Sequence, residues 1–367
     1  MIKLHEIESI ELLSETLGVS IDFLREFLQE KTIFKGKKLT EKFDFEVFRN
    51  TENLESYFDC SSACHFLEMH IPKRNRLHGY RTVYAPRGGD VEGIYKAFQM
   101  LLNGYYAASL HDSAHGFVKK RNIKSNASPH IGKNIILNVD IKDFFGSITK
   151  KLIEEHLLKV CSSKEIVDVL AEIATLNGFL FQGVPTSPML ANMIVKGMDI
   201  EITELCNKLD CVYTRYSDDI TISSNGNIVN VSDLEEIISK YGLILNPLKT
   251  KSSKRGQHQY VTGLTVFDSK YPRIPKRIKK KIRQTIYYCN KFGIQSVVLR
   301  KLHLAETDLN DPIIRERVDM ECAKLNGWLM GWIYFIHSIE PAVATKMSEG
   351  FRLMSRLDGE ERQTLSI

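Results

Sequence analysis

Two adjacent carboxylates, Asp218 and Asp219, are the first side chains in the sequence that could carry out chemistry together. Polar and apolar residues alternate on both sides of them, over residues 212–216 and 220–223, which predicts a β-hairpin with the pair at its turn. Neighbouring aspartates repel one another, and a hard divalent cation such as Mg²⁺ takes oxygen ligands and would cancel that repulsion. A solvated turn is the more ordinary interpretation of such a pair alone, so a metal site requires a carboxylate from elsewhere in the chain.

A third carboxylate, Asp140, lies at the end of a nearly continuous apolar run at residues 134–141. Such a run predicts a strand that is buried on both faces. Further along the chain, Ser187 and Ser232 are the predicted N-caps of two helices, the first of them long. Residues 243–245 are predicted to form the last strand of this region.

The order of these predicted elements brings the three carboxylates together. They follow one another as strand, helices, strand, hairpin strand, helix and strand, which is the βαββαβ order of a ferredoxin-like sheet with extra helices in the first crossover. In this topology the first strand lies beside the hairpin strand, so Asp140 faces Asp218 and Asp219. Three converging carboxylates predict a site for two Mg²⁺ ions, with Mn²⁺ as an alternative, and for in-line phosphoryl transfer by a nuclease, a nucleotidyl cyclase or a polymerase.

Four segments of the chain, in order, resemble the successive palm motifs of reverse transcriptases. They are Asp-Ile-Lys-Asp-Phe-Phe at residues 140–145, Gln-Gly-Val-Pro-Thr-Ser-Pro at 182–188, Tyr-Ser-Asp-Asp at 216–219 and Leu-Asn-Pro-Leu-Lys at 245–249. The resemblance covers about residues 76–265, and four ordered motifs in fitting contexts are specific. It implies an α+β right-hand polymerase with fingers, a ferredoxin-like βαββαβ palm and a helical thumb.

The resemblance also implies which residues hold the metal ions and assist the chemistry. The metal ligands are expected to be Asp140, Ile141, Asp218 and Asp219, and a partly structural role is the alternative for Asp219. Lys249 is expected to donate a proton to the leaving pyrophosphate, and a phosphate-contacting or solvated lysine is the alternative.

The same resemblance implies a binding site for the incoming dNTP. Phe145 matches an aromatic position beneath the sugar that discriminates against a 2′-hydroxyl, and a core aromatic is the alternative. Gln182 and Gly183 match residues that line the nucleotide pocket. Arg81 matches a fingers cation that contacts the triphosphate, and an exposed strand arginine is the alternative.

Two shorter elements make bacterial retron reverse transcriptases the more specific resemblance. Asn126 and His130 belong to a segment similar to the Asn-Ala-x-x-His element of that group, and Val261, Thr262 and Gly263 match its Val-Thr-Gly element. Both elements are interpreted as RNA-binding. A histidine that packs a loop and a chance tripeptide are the alternatives.

A strongly basic segment follows these motifs. Between residues 248 and 301 the sequence has fifteen Lys and Arg and a single acid, which predicts a polyanionic partner. An amphipathic helix is predicted at residues 273–291, and its cations are interpreted as RNA-binding: Arg277, Lys280, Lys281 and Arg283. A membrane-surface helix has a similar pattern, but a thumb helix that contacts a duplex backbone fits a polymerase better.

The chain is predicted to divide into four parts. These are an N-terminal helical extension at residues 1–75, fingers at 76–133, a palm at 134–265 with a fingers-side insertion at about 162–187, and a thumb at 266–367. The seven cysteines are scattered, and the sequence has neither a membrane-spanning run nor a signal-peptide pattern. A cytoplasmic protein is therefore expected.

The resemblance to retrons implies an RNA-directed DNA polymerase that copies a structured noncoding RNA, msr-msd, into a branched RNA–DNA hybrid, msDNA. It further implies dNTP substrates, an effector protein encoded nearby that joins a higher-order complex, and a role in defence against phage. Two alternatives are another bacterial defence or abortive-infection reverse transcriptase and a non-catalytic RNA-binding scaffold.

Overall fold

The computed structural model describes residues 2–35, 64–72, 79–106, 109–268 and 270–351. The chain divides into two compact units, the first formed by residues 1–122 and 135–252 and the second by residues 123–134 and 253–367. The predicted boundaries at residues 133 and 265 therefore both fall within the second unit. The assignment of fingers, palm and thumb stays a prediction.

The strands pair into small sheets. In chain order they are β1 (Ile33–Lys35), β2 (Phe66–Pro72), β3 (Tyr80–Pro86), β4 (Ile135–Asp140), β5 (Thr175–Leu176), β6 (Phe179–Leu180), β7 (Val212–Tyr216), β8 (Asp219–Ser224), β9 (Lys251–Lys254), β10 (Tyr260–Val261) and β11 (Leu264–Thr265). β1 is parallel to β2, and β2 is antiparallel to β3. β5 pairs with β6 and β10 with β11 in antiparallel ribbons.

The helices make up most of the remaining regular structure. They are α1 (Ile10–Leu17), α2 (Ile21–Gln29), α3 (Gly89–Tyr106), α4 (Ile123–Ala127), α5 (Lys150–Leu157), α6 (Lys164–Ala174), α7 (Thr186–Ile194), α8 (Lys196–Lys208), α9 (Val231–Lys240), α10 (Lys276–Phe292), α11 (Ile294–Leu302) and α12 (Pro312–Ile339). Residues 341–351 are also helical. Among the residues described, none of these helices combines the length and the apolar composition that crossing a membrane requires.

The four-stranded sheet has the strand order β7-β8-β4-β9. Counted within this sheet, its strands are the second, third, first and fourth along the chain, which is the order of a ferredoxin-like sheet. The predicted ferredoxin-like topology is therefore confirmed. β8 is antiparallel to both of its neighbours, β7 and β4.

The core of the first unit explains why this sheet forms. Leu137 and Val139 of β4 are buried, and they belong to one hydrophobic cluster with Ile220 and Ile222 of β8. Because both strands are rich in β-branched residues, they favour the extended backbone and bury large side chains in it. The strand ends at Asp140, where the apolar run stops.

Two predicted helix starts were each wrong by two residues. Ser187 lies inside the first turn of α7, whose N-cap position is Pro185. Ser232 lies inside α9, whose N-cap position is Asn230. The predicted long helix after Ser187 is also divided in two, because α7 ends at Ile194 and α8 is a separate helix.

Two predictions about strands also need correction. The region 1–75 was predicted to be helical, but β1 and β2 lie in it beside α1 and α2. Residues 243–245 do not form a strand; Leu245 makes an isolated bridge to Ile141. The fourth position of the sheet belongs to β9 instead.

In the second unit, α10 has the amphipathic character that its sequence predicts. Ile282, Ile286 and Cys289 are buried along one side of it. A separate small core, formed by Val298 and Val318 with their neighbours, joins α11 to α12.

Candidate active site

The two residues Ser217 and Asp218, here named the aspartate turn, connect β7 to β8. Tyr216 and Asp219 are the cross-strand pair that closes it, so Asp219 is the first residue of β8 and not part of the turn. Ser217 has a φ of 60°, in the left-handed region that tight hairpin turns use and that costs an L-residue about 1–2 kcal/mol. The predicted hairpin is confirmed.

The structure brings Asp140, Asp218 and Asp219 together at one end of the sheet. Asp140 is the last residue of β4 and lies directly opposite Asp219, so both side chains project from the same face. The Asp218 carbonyl accepts a hydrogen bond of 2.9 Å from the N–H of Ile141. This bond holds the aspartate turn against the end of β4.

Lys249 contributes a positive charge to this acidic cluster. Its Nζ lies 2.7 Å from Oδ2 of Asp140, and Nδ2 of Asn246 donates a hydrogen bond of 3.3 Å to Oδ1 of the same carboxylate. Burial lowers the pKa of Lys249, but the hydrogen bond to Asp140 and the nearby carboxylates outweigh that effect and raise the pKa. Lys249 is therefore protonated at neutral pH.

The other two carboxylates have raised pKa values. Burial and the charge of Asp140 raise the pKa of Asp218, although Lys249 and Arg81 act in the opposite direction. Partial burial, followed by the charges of Asp218 and Asp140, raises the pKa of Asp219 to about 6. The site therefore holds more negative charge than the surrounding side chains neutralise.

This donor set suits divalent metal ions. Carboxylate oxygens are preferred ligands of Mg²⁺ and Mn²⁺, and the raised pKa values of Asp218 and Asp219 indicate a place for added positive charge. Among the described residues, no three His, Cys, Asp or Glu side chains already form a metal-binding group, and Lys249 engages one oxygen of Asp140. Ile141 has a buried apolar side chain, so it could offer only its backbone carbonyl.

Gln182 and Gly183, the predicted nucleotide-pocket residues, lie against β3. The Gln182 carbonyl accepts a hydrogen bond of 2.8 Å from the N–H of Tyr84. Gly183 has a φ of 124°, and a Cβ at this position would overlap the Tyr84 carbonyl oxygen, so the contact requires glycine. Arg81 is an exposed residue of the same strand, and its charge reaches Asp218 strongly enough to affect the pKa there.

Phe145, the predicted sugar-discriminating residue, is half-buried at the end of the segment that follows β4. Its ring centre lies 5.4 Å from that of Phe144 and 6.3 Å from that of Phe117. Phe144 is buried in the hydrophobic core. Phe145 is thus supported by one aromatic ring from the core and by one from a different segment.

The structure does not bring all the predicted RNA-binding residues to a surface. Asn126, His130 and Val261 are fully buried in the second unit, so their side chains do not reach its surface. Thr262 and Gly263 form the turn between β10 and β11, where Thr262 Oγ1 donates a hydrogen bond of 3.3 Å to a backbone carbonyl of α4. The two elements therefore meet where α4 contacts the β10–β11 hairpin, and RNA binding by them stays a prediction.

The four cations predicted to bind RNA through α10 have two different surroundings. An open cavity of about 570 Å³ is lined in part by Arg277, Lys280 and Arg283. Lys281 instead lies 5.5 Å from the ring centre of Trp328 on α12, in a cation–π contact. Three of the predicted cations therefore share one basic cavity in the second unit.

A buried guanidinium behind the aspartate turn was missed from the sequence. Arg215 is fully buried and donates two hydrogen bonds, of 2.8 and 2.7 Å, to the carboxylate of Asp199 on α8. Its Nη1 also donates to Asn192 Oδ1 and to the Ser217 carbonyl, each at 3.0 Å. The Tyr213 hydroxyl donates to Asp199 at 2.6 Å. No signal in the sequence pairs Arg215 with Asp199, because the two residues belong to different elements.

The sequence comparisons with known proteins agree on one family. Residues 71–266 match the family model described as reverse transcriptase (RNA-dependent DNA polymerase). The chain is 37% identical over 228 residues to the retron Ec86 reverse transcriptase of Escherichia coli, a match that covers 60% of this chain and 69% of that protein. It is 32% identical over 226 residues to the retron Mx65 reverse transcriptase of Myxococcus xanthus, covering 55% of this chain and 51% of the relative. A solved structure of apo telomerase from Candida tropicalis, truncated from the C-terminal domain, matches with a TM-score of 0.40 and 13% identity over 57% of this chain and 54% of that one.

Proposed function

Because the chain belongs to the reverse transcriptase family and to its retron group, it is an RNA-directed DNA polymerase, and we propose that it copies a structured noncoding RNA into a branched RNA–DNA hybrid. Synthesis would begin from a 2′-hydroxyl of that RNA. The observation that carries the catalytic part of the proposal is the convergence of Asp140, Asp218 and Asp219 at the end of one sheet.

These three aspartates would hold two divalent cations, proposed to be Mg²⁺. When bound, such ions increase the acidity of the attacking hydroxyl and stabilise the leaving pyrophosphate. The contribution of the chain is to fix the carboxylates before substrate binds. The Asp218 carbonyl is bonded to the N–H of Ile141, and the Asp140 carbonyl accepts a hydrogen bond of 2.7 Å from the N–H of Asn246, so the backbone at two of the three positions is tied to neighbouring segments.

Lys249 is the proposed proton donor to the leaving pyrophosphate. Its raised pKa keeps the ammonium group charged, and its side chain is 59% exposed, so it can reorient. From this position the ammonium group would contact a phosphate oxygen of the substrate and transfer a proton to it. A positive charge at this position stabilises the negative charge that develops during the reaction.

Phe145, Gln182, Gly183 and Arg81 are proposed to bind the incoming dNTP. The contact of Gly183 with β3 supports this assignment, because it holds Gln182 on the strand that also carries Arg81. The half-buried ring of Phe145 would lie beneath the sugar and exclude a 2′-hydroxyl by its volume. Arg81 would contact the triphosphate, since a guanidinium can bind phosphate oxygens through two parallel hydrogen bonds.

The RNA is proposed to contact the basic cavity of the second unit. Arg277, Lys280 and Arg283 line that cavity, and clustered cations bind phosphates in a salt-dependent manner. The retron relatives suggest further that the RNA is of the msr-msd type, that an effector protein takes part in the complex, and that the system acts in defence against phage.

The catalytic proposal can be tested by replacing one aspartate with asparagine. Asp218→Asn keeps the shape of the side chain but removes its charge, so we expect Mg²⁺-dependent dNTP incorporation on a primed RNA template to be lost while RNA binding is retained. The matched control is Asp210→Asn, an exposed residue before β7 whose φ of 52° suits asparagine as well as aspartate. Undiminished synthesis by Asp218→Asn would overturn the mechanism.

The proposed product can be tested without an assumed template. Protein purified from cells that carry the chromosomal neighbourhood of its gene should retain a discrete nucleic acid that is partly sensitive to RNase and partly to DNase. Incorporation of dNTPs in the absence of any template would instead favour a template-independent defence enzyme. If the protein shows no Mg²⁺-dependent synthesis, either with or without a template, an RNA-binding scaffold is favoured.

A further inference from the structure

Residues 113–117, here named the strap segment, lie against the aspartate turn. Two backbone hydrogen bonds of 2.7 Å join the strap segment to Arg215 of β7. They are made by the residues on either side of Ala114, which itself pairs with Arg215 in a parallel bridge. At Gly116, a Cβ would lie 2.5 Å from the backbone nitrogen of Ser217. Only glycine permits that approach, so the strap segment is fitted closely to the turn that carries Asp218.

The last residue of the strap segment, Phe117, has an unusual backbone conformation. Its φ is 61°, which is rare for a bulky residue and is kept only where neighbours enforce it. Two side-chain donors do so here: Asn192 Nδ2 donates to the Gly116 carbonyl at 2.9 Å, and the Tyr106 hydroxyl donates to the Phe117 carbonyl at 3.2 Å. Asn192 also donates to the Tyr106 hydroxyl at 2.8 Å, so the two anchors support each other.

This backbone conformation directs the ring of Phe117 towards Phe145. The two ring centres are 6.3 Å apart and the ring planes meet at 64°, an edge-to-face contact of the kind that stabilises aromatic pairs. Phe117 is nevertheless 50% exposed, so burial of its own surface does not account for its position. The aromatic contact that the described structure shows for this ring is the one with Phe145.

We propose that Phe117 is a positioning residue for sugar discrimination, which holds the ring of Phe145 in the place where it excludes a 2′-hydroxyl. This inference rests on the proposed role of Phe145. The strap segment makes the arrangement rigid, because the same few residues that carry Phe117 are bonded to β7 and pack on the aspartate turn. The strap segment thus contacts both the aspartate turn and the ring of Phe145.

The test is the ratio of kcat/KM for a dNTP to kcat/KM for the matching rNTP on one RNA template. A ratio cancels the fraction of folded enzyme, so a variant that is merely unstable does not change it. We expect Phe117→Ala to lower the ratio about three- to tenfold, which is the range expected for loss of one aromatic pair. Phe117→Tyr retains the ring and should retain the ratio, and Phe179→Ala, which removes a ring of 47% exposure from β6, should not change it.

Two further variants separate this inference from the role of Phe145. Phe145→Ala should lower the ratio at least as far as Phe117→Ala, and the double variant should be no worse than Phe145→Ala, because Phe117 acts through that ring. If Phe145→Ala lowers the ratio and Phe117→Ala leaves it unchanged, the inference about Phe117 is wrong and the proposed function stands. If Phe145→Ala has no effect, the assignment of Phe145 fails and the inference fails with it.

Discussion

Replacement of Arg215 by methionine should strongly destabilise the first unit. The change removes the guanidinium but keeps a long apolar side chain of similar reach. It leaves the Asp199 carboxylate without its cationic partner at a site where both side chains have 0% exposure. It also removes the hydrogen bonds that Arg215 donates to Asn192 and to the Ser217 carbonyl.

The magnitude follows from the burial of the pair. Removing one member of a fully buried ion pair costs about 3–5 kcal/mol, because the remaining charge is buried without compensation. A domain is stable by only about 5–15 kcal/mol, so Arg215→Met should take away a large part of the stability. A double variant that combines Arg215→Met with Asp199→Asn lacks the uncompensated charge, and its asparagine still offers an acceptor to the Tyr213 hydroxyl. The double variant should therefore regain at least about 2 kcal/mol of the loss.

Urea denaturation followed by far-UV circular dichroism measures both effects. In Arg215→Met the midpoint urea concentration should fall, because the buried carboxylate of Asp199 has lost its cationic partner. In the double variant the midpoint should return towards that of the parent.

Activity provides the second half of the test. The double variant regains stability but still lacks the hydrogen bond to the Ser217 carbonyl, so dNTP incorporation should stay about tenfold or more below that of the parent enzyme, given how strongly rates depend on the position of catalytic groups. A loss of less than about 1 kcal/mol in Arg215→Met would show that Asp199 finds another partner. Full activity of the double variant would show that the aspartate turn does not depend on Arg215.

Two further predictions concern the acidic cluster and the nucleotide pocket. Partial burial and the neighbouring carboxylates raise the pKa of Asp219 to about 6 from an ordinary value of 3.8. Ionisation of this carboxyl group between about pH 4 and 6 therefore opposes folding. In the absence of metal, Asp219→Asn should be more stable than the parent at pH 8, by about 1 kcal/mol after solvent screening. In thermal unfolding with EDTA, the difference in stability between variant and parent should disappear towards pH 4. Added Mg²⁺ should stabilise the parent more than the variant. A stability difference that persists at pH 4 would refute the electrostatic explanation. Gly183→Ala should raise the KM for dNTP and lower the thermal midpoint, because its Cβ would overlap the Tyr84 carbonyl. The control variant Gly226→Ala should behave like the parent, because a Cβ there meets no atom within 4 Å. Equal KM values for the two variants would contradict the close contact.

The acidic cluster was predictable because its chemistry restricts both residue types and element order. Asp218 stands between two alternating runs, and Asp140 ends an apolar run, so each position follows from a local pattern. The ferredoxin-like order then determines which strands are neighbours. The register of β4 and β8, with Asp140 opposite Asp219, is the one detail that local patterns do not contain.

Helix starts and short strands were predicted less well. Ser232 is a favourable N-cap residue, but the N-cap of α9 lies two residues earlier because Asn230 has the extended conformation of a cap, with φ −73° and ψ 144°. A single pair of dihedral angles decides such a boundary, and composition alone does not fix it. β1 has only three residues and exists because β2 pairs with it. That pairing joins segments about thirty residues apart, which no local pattern records.

The surroundings of the aspartate turn explain why Arg215 was missed and why it matters. Thr214 and Arg215 project from opposite faces of β7, yet both are buried, because α8 and the strap segment contact this strand. The turn itself combines a strained Ser217 with crowded carboxylates, two features that oppose folding in the absence of metal. Bonds from a buried guanidinium to the Ser217 carbonyl and from Ile141 to the Asp218 carbonyl act on the backbone, so they hold the carboxylates in position without neutralising them. Backbone contacts of this kind make the turn more rigid while its carboxylates keep their charge, and they become visible only when the chain is folded.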